Sequence, residues 1–252
     1  MSKLTDRIDN QNIINLAREQ YETQQRGKLP SVIVPLTSAG KIYPKTSLLS
    51  KGTVEMRYMT AYDEDILTNA SYIQNAVVFE KLLESIILTP ISVDEISVVD
   101  KLGLIINARI LAYGSEYEVE VTDPKTQKRI NRSIDLRKLK VKPFKLQPND
   151  NGEFSYQVNS ECTIWFRYPT RDSEDDTVSA YLKNIITQVN ESRDANSIEN
   201  FIRYEFLAAD SKRFRKYVSE NAPTLDLNVE LEGEDGSTFT TGFPIGPQLF
   251  WF

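Results

Sequence analysis

Histidine is absent from the 252 residues, and cysteine occurs once, at position 162. Without histidine the chain has no side chain that ordinarily titrates near neutrality, which removes the usual general base and the commonest transition-metal ligand. Serine and cysteine triads that use histidine are excluded, as are HExxH zinc sites and Cys/His zinc clusters. A lone cysteine rules out an internal disulfide framework and fits a reducing compartment. No apolar run reaches the length of a membrane span, and Met1-Ser2-Lys3-Leu4-Thr5-Asp6 does not read as a signal peptide. The expectation is a protein of the producing cell's cytoplasm that contacts no membrane.

What is present suffices for a sizeable core, with 40% hydrophobic residues including 12 Tyr and 11 Phe. The net charge of −6 is unevenly spread. Residues 123–145 carry Lys125, Lys128, Arg129, Arg132, Arg137, Lys138, Lys140, Lys142 and Lys145 against Asp123 and Asp135. Acids cluster at 172–176 and again at 226–235. Such polarity points to charge-steered contacts with partners. Overall acidity argues against a dedicated nucleic-acid binder, and Phe144 is the only aromatic residue of the basic segment available for base stacking. A solvated hairpin face explains the same charges.

Along the chain, a thin stripe of Ile8, Ile13, Ile14, Leu16 and Ala17 predicts a helix over residues 10–25, ended by Gly27. Residues 28–52 combine Pro30, Pro35 and Pro44 with apolar Ile33, Val34, Leu36 and Leu49. Prolines at that density discourage helix and central strand, so an extended arm on a surface is expected. The unit boundaries this gives are 1–50 for helix and arm and 51–252 for a mixed core, with a possible subdivision at 145–170. Removing 1–50 should then leave a folded core.

Residues 54–59 read as a strand, and Asp63, Glu64 and Asp65 as the acidic start of a helix. These acids suit a helix N-terminus better than acid–base catalysis or magnesium. Phe79, Leu82, Leu83, Ile86 and Ile87 keep helical spacing up to Pro90, and residues 98–111, apolar nearly all round, predict a buried helix ended by Gly114. Strands follow at 117–121 and 127–136 around the turn at 123–126. A hairpin is expected at Asn149-Asp150-Asn151-Gly152, and a strand at 162–168 holds Cys162 as a small core residue. Val178, Tyr181, Leu182, Ile185, Ile186 and Val189 keep one helical face. Ile198 to Phe206 begin another helix, and Phe214, Tyr217 and Val218 a short third. Alternation from Leu225 to Leu231, the turn Gly233-Glu234-Asp235-Gly236 and residues 237–243 read as a closing β-hairpin. The fold class is therefore α+β: central helices with antiparallel hairpins, a C-terminal helical segment, a closing hairpin and an extended N-terminal arm.

Leu249, Phe250, Trp251 and Phe252 follow the hairpin. Aromatic residues of this size should not stay in water, since burying each contributes roughly 1.5–3 kcal/mol. They can close the chain's own core or dock on a neighbouring subunit. Candidate partner-binding residues are Ile33, Val34, Leu36, Lys128, Arg129, Arg132, Leu249, Phe250, Trp251 and Phe252. Neither a P-loop nor GxGxxG occurs, and no catalytic, cofactor or metal site is expected.

The order of segments carries a resemblance. The run from Glu55 to Leu67 precedes a helix ending Leu82-Leu83-Glu84-Ser85-Ile86-Ile87. Then come residues 97–114, with Asn107-Ala108-Arg109, and Tyr117-Glu118-Val119-Glu120-Val121. The close Phe243-Pro244-Ile245-Gly246-Pro247-Gln248-Leu249-Phe250-Trp251-Phe252 is aromatic. Together these resemble the baseplate hub subunit and hub-assembly protein family of contractile-tailed phages of the T-even type, over most of residues 50–252. Some members of the wider group carry CPxC-like pairs where this chain has Asp123-Pro124-Lys125-Thr126 and Glu232-Gly233-Glu234-Asp235-Gly236. The resemblance implies that ordinary turns here replace a zinc knuckle. It also implies a non-enzymatic structural or assembly role in the tail baseplate, in contact with other baseplate or tail proteins and, within a symmetric assembly, with copies of itself. Such a late protein would be assembled in the host cytoplasm, reside in the virion and serve release from the host cell. A transient hub-assembly chaperone and a nucleic-acid binder using residues 123–145 are the alternatives.

Overall fold

A computed structural model describes residues 28–251 apart from 172, 174 and 244. The helix expected over 10–25 and the final Phe252 lie outside the described residues. In the proline-rich segment, strand β1 (Ser31–Pro35) pairs antiparallel with β2 (Thr53–Arg57), from Ser31 opposite Arg57 to Pro35 opposite Thr53. Leu36 N–H donates to Gly52 O (2.8 Å) and Tyr58 N–H to Pro30 O (3.0 Å). That phase gives the ladder bonds to Val32 and Val34, so the N–H that Pro35 lacks is never needed. The prolines therefore frame a strand rather than prevent one. Gly40 and Gly52 close the intervening loop with φ +77° each, and a Cβ on Gly40 would stand 2.6 Å from Gly52 N. Val34, Leu36, Ile42, Tyr43 and Leu49 are buried. Residues 31–35 are thus paired, and these apolar side chains of the segment up to Leu49 pack into the body while Ile33 stays in water.

Four helices follow: α1 (Ala61–Thr68), α2 (Ala70–Gln74), α3 (Val78–Ile86) and α4 (Val98–Tyr113). Asp63 closes a capping box with Thr60, as helix-start chemistry requires. It is also fully buried in a fork with Arg57, Nη1 to Oδ2 2.7 Å and Nη2 to Oδ1 2.9 Å, with Ser85 Oγ donating to Oδ1 at 2.7 Å. Burial pushes the Asp63 carboxyl up, but the bonds from Arg57, Thr60 and Ser85 outweigh it and leave it below the ordinary value. Helix α3 ends before Pro90 because Ile87 bridges to Met56 and Leu88 N–H donates to Glu55 O (2.8 Å). Gly114, at φ +84°, ends α4 as expected. Near its start, buried Asp100 accepts Ser38 N–H (2.7 Å), Ser38 Oγ–H (2.7 Å) and Tyr43 Oη–H (2.6 Å). A Cβ on Gly103 would meet Thr37 Oγ1 at 2.2 Å, so the loop after β1 sits directly on α4.

Strands β3 (Glu116–Thr122) and β4 (Arg129–Asp135) form the expected hairpin. The Asn-Gly turn at 149–152 exists, with Gly152 at φ +72°, but joins no pair of strands. The preceding residues, with Pro143 and Pro148, run instead to a bridge between Val141 and Leu225. The turn leads into β5 (Phe154–Gln157), which pairs with β6 (Thr163–Phe166). Helix α5 (Val178–Ile185) stops short of its predicted end, because Ile186–Val189 form β7 on the open edge of β6. β-Branched Ile186, Thr187 and Val189 suit that strand. Helix α6 (Ala195–Asn200) passes into a π-helical turn (Phe201–Glu205), and α7 (Ala208–Glu220) is longer than its few apolar residues announce. Strands β8 (Asn228–Glu232) and β9 (Thr238–Gly242) close the fold. The α+β class holds, with three two-stranded sheets and the β5–β6–β7 sheet among the described residues. One hydrophobic cluster runs from Val34 to Phe250.

Candidate assembly surface

The basic and acidic segments that sequence alone sets apart meet in the fold. Lys125 Nζ lies 3.0 Å from Asp235 Oδ2 and Lys128 Nζ 3.1 Å from Glu234 Oε2. Arg132 Nε donates to Glu232 O at 2.6 Å, whereas Arg129 faces Glu120 of its own hairpin at 3.6 Å. The turns themselves are knitted by Asp123, which accepts Lys125 N–H (2.8 Å), Thr126 N–H (3.1 Å) and, across the gap, Glu234 N–H (3.1 Å). Those amides, Glu234's foremost, hold the Asp123 carboxyl below its ordinary range. Gly233 permits the approach, since a Cβ there would stand 2.8 Å from Asp123 Oδ2. The Lys128–Glu234 pair is exposed and contributes at most about 1 kcal/mol. Its larger effect is electrostatic, because much of the basic hairpin's field is cancelled within the chain. The antiparallel order of the charges, Lys125 to Arg132 against Asp235 to Glu232, was the signal for this pairing in the sequence.

The aromatic tail is held by a residue that sequence reasoning did not single out. Arg109, buried on α4, donates Nε–H to Leu249 O (2.8 Å), Nη1–H to Gly114 O (2.8 Å) and Nη2–H to Glu116 O (3.3 Å). Its guanidinium carbon lies 5.2 Å from the Tyr113 ring centroid and 5.9 Å from that of Tyr117. Burial draws its pKa down. Burial also raises Tyr113 to about 12, helped by the hydrogen bond from its hydroxyl to Glu64 Oε1 (2.6 Å). Leu249 and Phe250 are buried, and the Phe250 ring sits 6.3 Å from Phe79 and 6.4 Å from Tyr113 between centroids. This part of the tail closes its own core. The hint in the sequence was a single arginine in the apolar second half of α4, Gly103 to Tyr113, where Asn107 is the other polar residue.

Of the remaining candidates, Ile33 is 69% exposed on β1 while Val34 and Leu36 face the core. Trp251 is 38% exposed. The described candidates thus sit on three separate features: β1 with the residue after it, the cross-linked hairpins and the tail pocket beside α4. Tyr62, Tyr204 and Leu207 are also large, apolar in body and exposed. Cys162 is half-buried just before β6, where burial raises its pKa. Among the described residues no cluster of metal-ligating side chains forms, and no helix is long and apolar enough to cross a membrane.

A family model described as T4 bacteriophage base plate protein matches residues 41–241. The chain belongs to that family. The matched span begins in the loop after β1, takes in α4 and both charged hairpins, and stops before the tail. No curated protein and no solved structure matches the chain. As a T4-type baseplate protein it has a structural or assembly role in a phage baseplate, meets other baseplate proteins and belongs to the tail of the virion.

Proposed function

We propose that this baseplate protein is a component of the hub that stays in the finished particle and works through protein–protein contacts, without a reaction or cofactor of its own. The resemblance of residues 50–252 to hub proteins supports the place. The observation that carries the reading is the capture of the basic hairpin and the aromatic tail in cis, by Glu234, Asp235 and Arg109. The two segments best suited by composition to reach outward are held instead, which gives a body of fixed shape. On it Ile33, Tyr62, Tyr204 and Leu207 stand in water as preformed apolar anchors. A body of this kind suits a permanent seat in an assembly, made in the host cytoplasm late in infection.

Mass spectrometry of purified tails, compared with infected-cell lysate, tests the reading. Hub residence requires the chain in tails at a fixed ratio to the other baseplate proteins. Presence in lysate but absence from tails would make it a transient assembly chaperone. A salt-dependent shift of DNA, abolished by charge reversal at Lys128, Arg129 and Arg132, would favour nucleic-acid binding instead. The internal pairing of that hairpin leads us to expect none.

A further inference from the structure

Between the cross-linked hairpins runs a slot whose walls are strand edges. Asp123 N–H donates to Lys128 O and Leu136 N–H to Ser115 O, both at 2.9 Å. In the β3–β4 register, where Tyr117 faces Ile134, the even-numbered residues of β4 therefore bond to β3. Asn131 and Ser133 turn their backbone groups the other way. Gly233 N–H donates to Ser237 O at 2.7 Å, so in β8 Val229 and Leu231 bond to β9 and Glu230 turns outward. Strands β4 and β8 form no ladder with each other. They are joined beyond one end by Asp226 N–H to Lys140 O and Lys142 N–H to Thr224 O, both 2.8 Å, and at the other by Arg132 on Glu232 O. The space left between has a volume of about 430 Å³ and is lined by Ser133, Ile134, Asp135, Glu230 and Leu231 among others. Among the described residues, the N–H and C=O of Ser133 and of Glu230 meet no hydrogen-bond partner.

We propose that this slot receives an extended segment of another baseplate protein, added by backbone hydrogen bonds. Asn131 O and Glu232 O are taken by Arg132 and Asn228 N–H by Asp226, so the open groups are those of Ser133 and Glu230, a donor and an acceptor on each wall. An extended backbone between them meets these with its own C=O and N–H groups, and a helix or an anion does not. Ile134 and Leu231 are buried beneath the opening, so alternate side chains of the incoming segment must be apolar. Lys138 and Lys140 on one wall stand against Asp226 and Glu230 on the other, which suits a segment of low net charge. The slot lies wholly within the matched span 41–241, the part shared with the family, which favours an occupant from outside this chain over its own residues 1–27. The proposal deepens the contact reading and rests on baseplate membership rather than on residence in the hub.

The probes are octapeptides tiling the other baseplate proteins of the same phage, added to the full chain. Amide exchange is followed at Ser133 and Glu230. In the chain alone both amides should exchange as solvent-exposed groups, and a bound peptide with apolar residues at alternate positions should slow them at least tenfold. Glu230→Pro removes an outward N–H while sparing the ladder bonds of Val229 and Leu231, and should weaken that peptide at least tenfold with the unfolding midpoint kept. The wild-type exchange result decides the matter even where the proline variant folds poorly. Binding without protection at Ser133 and Glu230, or no peptide that slows them, overturns the proposal. Protection in the chain alone that vanishes on removing residues 1–27, or that grows with dimerisation, overturns the assignment to a partner. Absence of the chain from purified tails would refute hub residence and leave this result standing.

Discussion

Glu153 ties three pieces of the C-terminal half together, and its replacement by glutamine should show that in a pH-dependent way. Its Oε1 accepts from Arg193 Nη1 (2.7 Å) and Arg167 Nη2 (3.0 Å), and its Oε2 from Arg193 Nη2 (2.8 Å) and Asn149 Nδ2 (3.1 Å). The turn at 149–152, the end of β6 and the loop after β7 thus converge on one buried carboxylate. Arg193's hydrogen bonds, opposed by burial and joined by those of Asn149 and Arg167, lower it from 4.5 to about 2. A depressed carboxyl stabilises the fold above its unfolded pKa, and that stability is lost as the pH falls through the folded one. The full shift corresponds to roughly 3 kcal/mol at neutral pH. Both arginine side chains are about half exposed, so screening reduces the expected effect to about 1–2 kcal/mol. For a chain of this size that is about 3–6 °C in Tm. Unfolding of wild type and Glu153→Gln is to be compared at pH 7, 5 and 3. The gap should be nearly the same at pH 7 and 5 and should shrink to less than half by pH 3. A gap that stays constant down to pH 3, or no gap at pH 7, refutes the reasoning.

Phe250→Ala removes a fully buried ring between Phe79 and Tyr113 and should cost about 3–5 kcal/mol in urea unfolding; a loss below about 1 kcal/mol would mean the tail does not close the core. Asp63→Asn leaves buried Arg57 without its charge partner and should destabilise by about 3–5 kcal/mol, with a lowered denaturant midpoint as the readout. A chain beginning at residue 28 should still unfold cooperatively by circular dichroism. One beginning at residue 51 should not, because it lacks β1, Ile42, Tyr43 and Leu49. Equal cooperativity of the two truncations would instead support a detachable arm over residues 1–50.

Features written within a few neighbouring residues were legible in advance. The alternation of Tyr117, Val119 and Val121, the apolar girth of α4 and the glycines at 114, 233 and 236 each place an element by local rules alone. What failed depended on distant partners. Nothing near Ile186 says that β6 will offer an open edge, so helical spacing ran on past its true end. Pro35 looked prohibitive until the register gave its position no ladder bond to supply, while Pro30 stands just before β1 and uses only its carbonyl, which accepts Tyr58 N–H. Helix α7 was under-read because most of its surface is charged and wet, and only Ser211, Phe214 and Val218 are buried. At the surface, charge counting located both hairpins but took each to face outward. Asp63 was placed correctly at a helix start, yet its partners Arg57 and Ser85 come from β2 and α3. Arg109 acquires its meaning only once a segment 140 positions away arrives beside it.

That separation has a temporal side. Synthesis runs from the N-terminus, so the wall formed by Phe79 and Tyr113 is made long before the phenylalanine that covers it. At ordinary translation speeds the interval is roughly 7–27 s, far longer than a helix needs to form. Throughout it, the apolar wall that Phe250 will cover is open to whatever is nearby. Copies made side by side on one message can therefore stick together there, and a holding chaperone that covers that wall would prevent it.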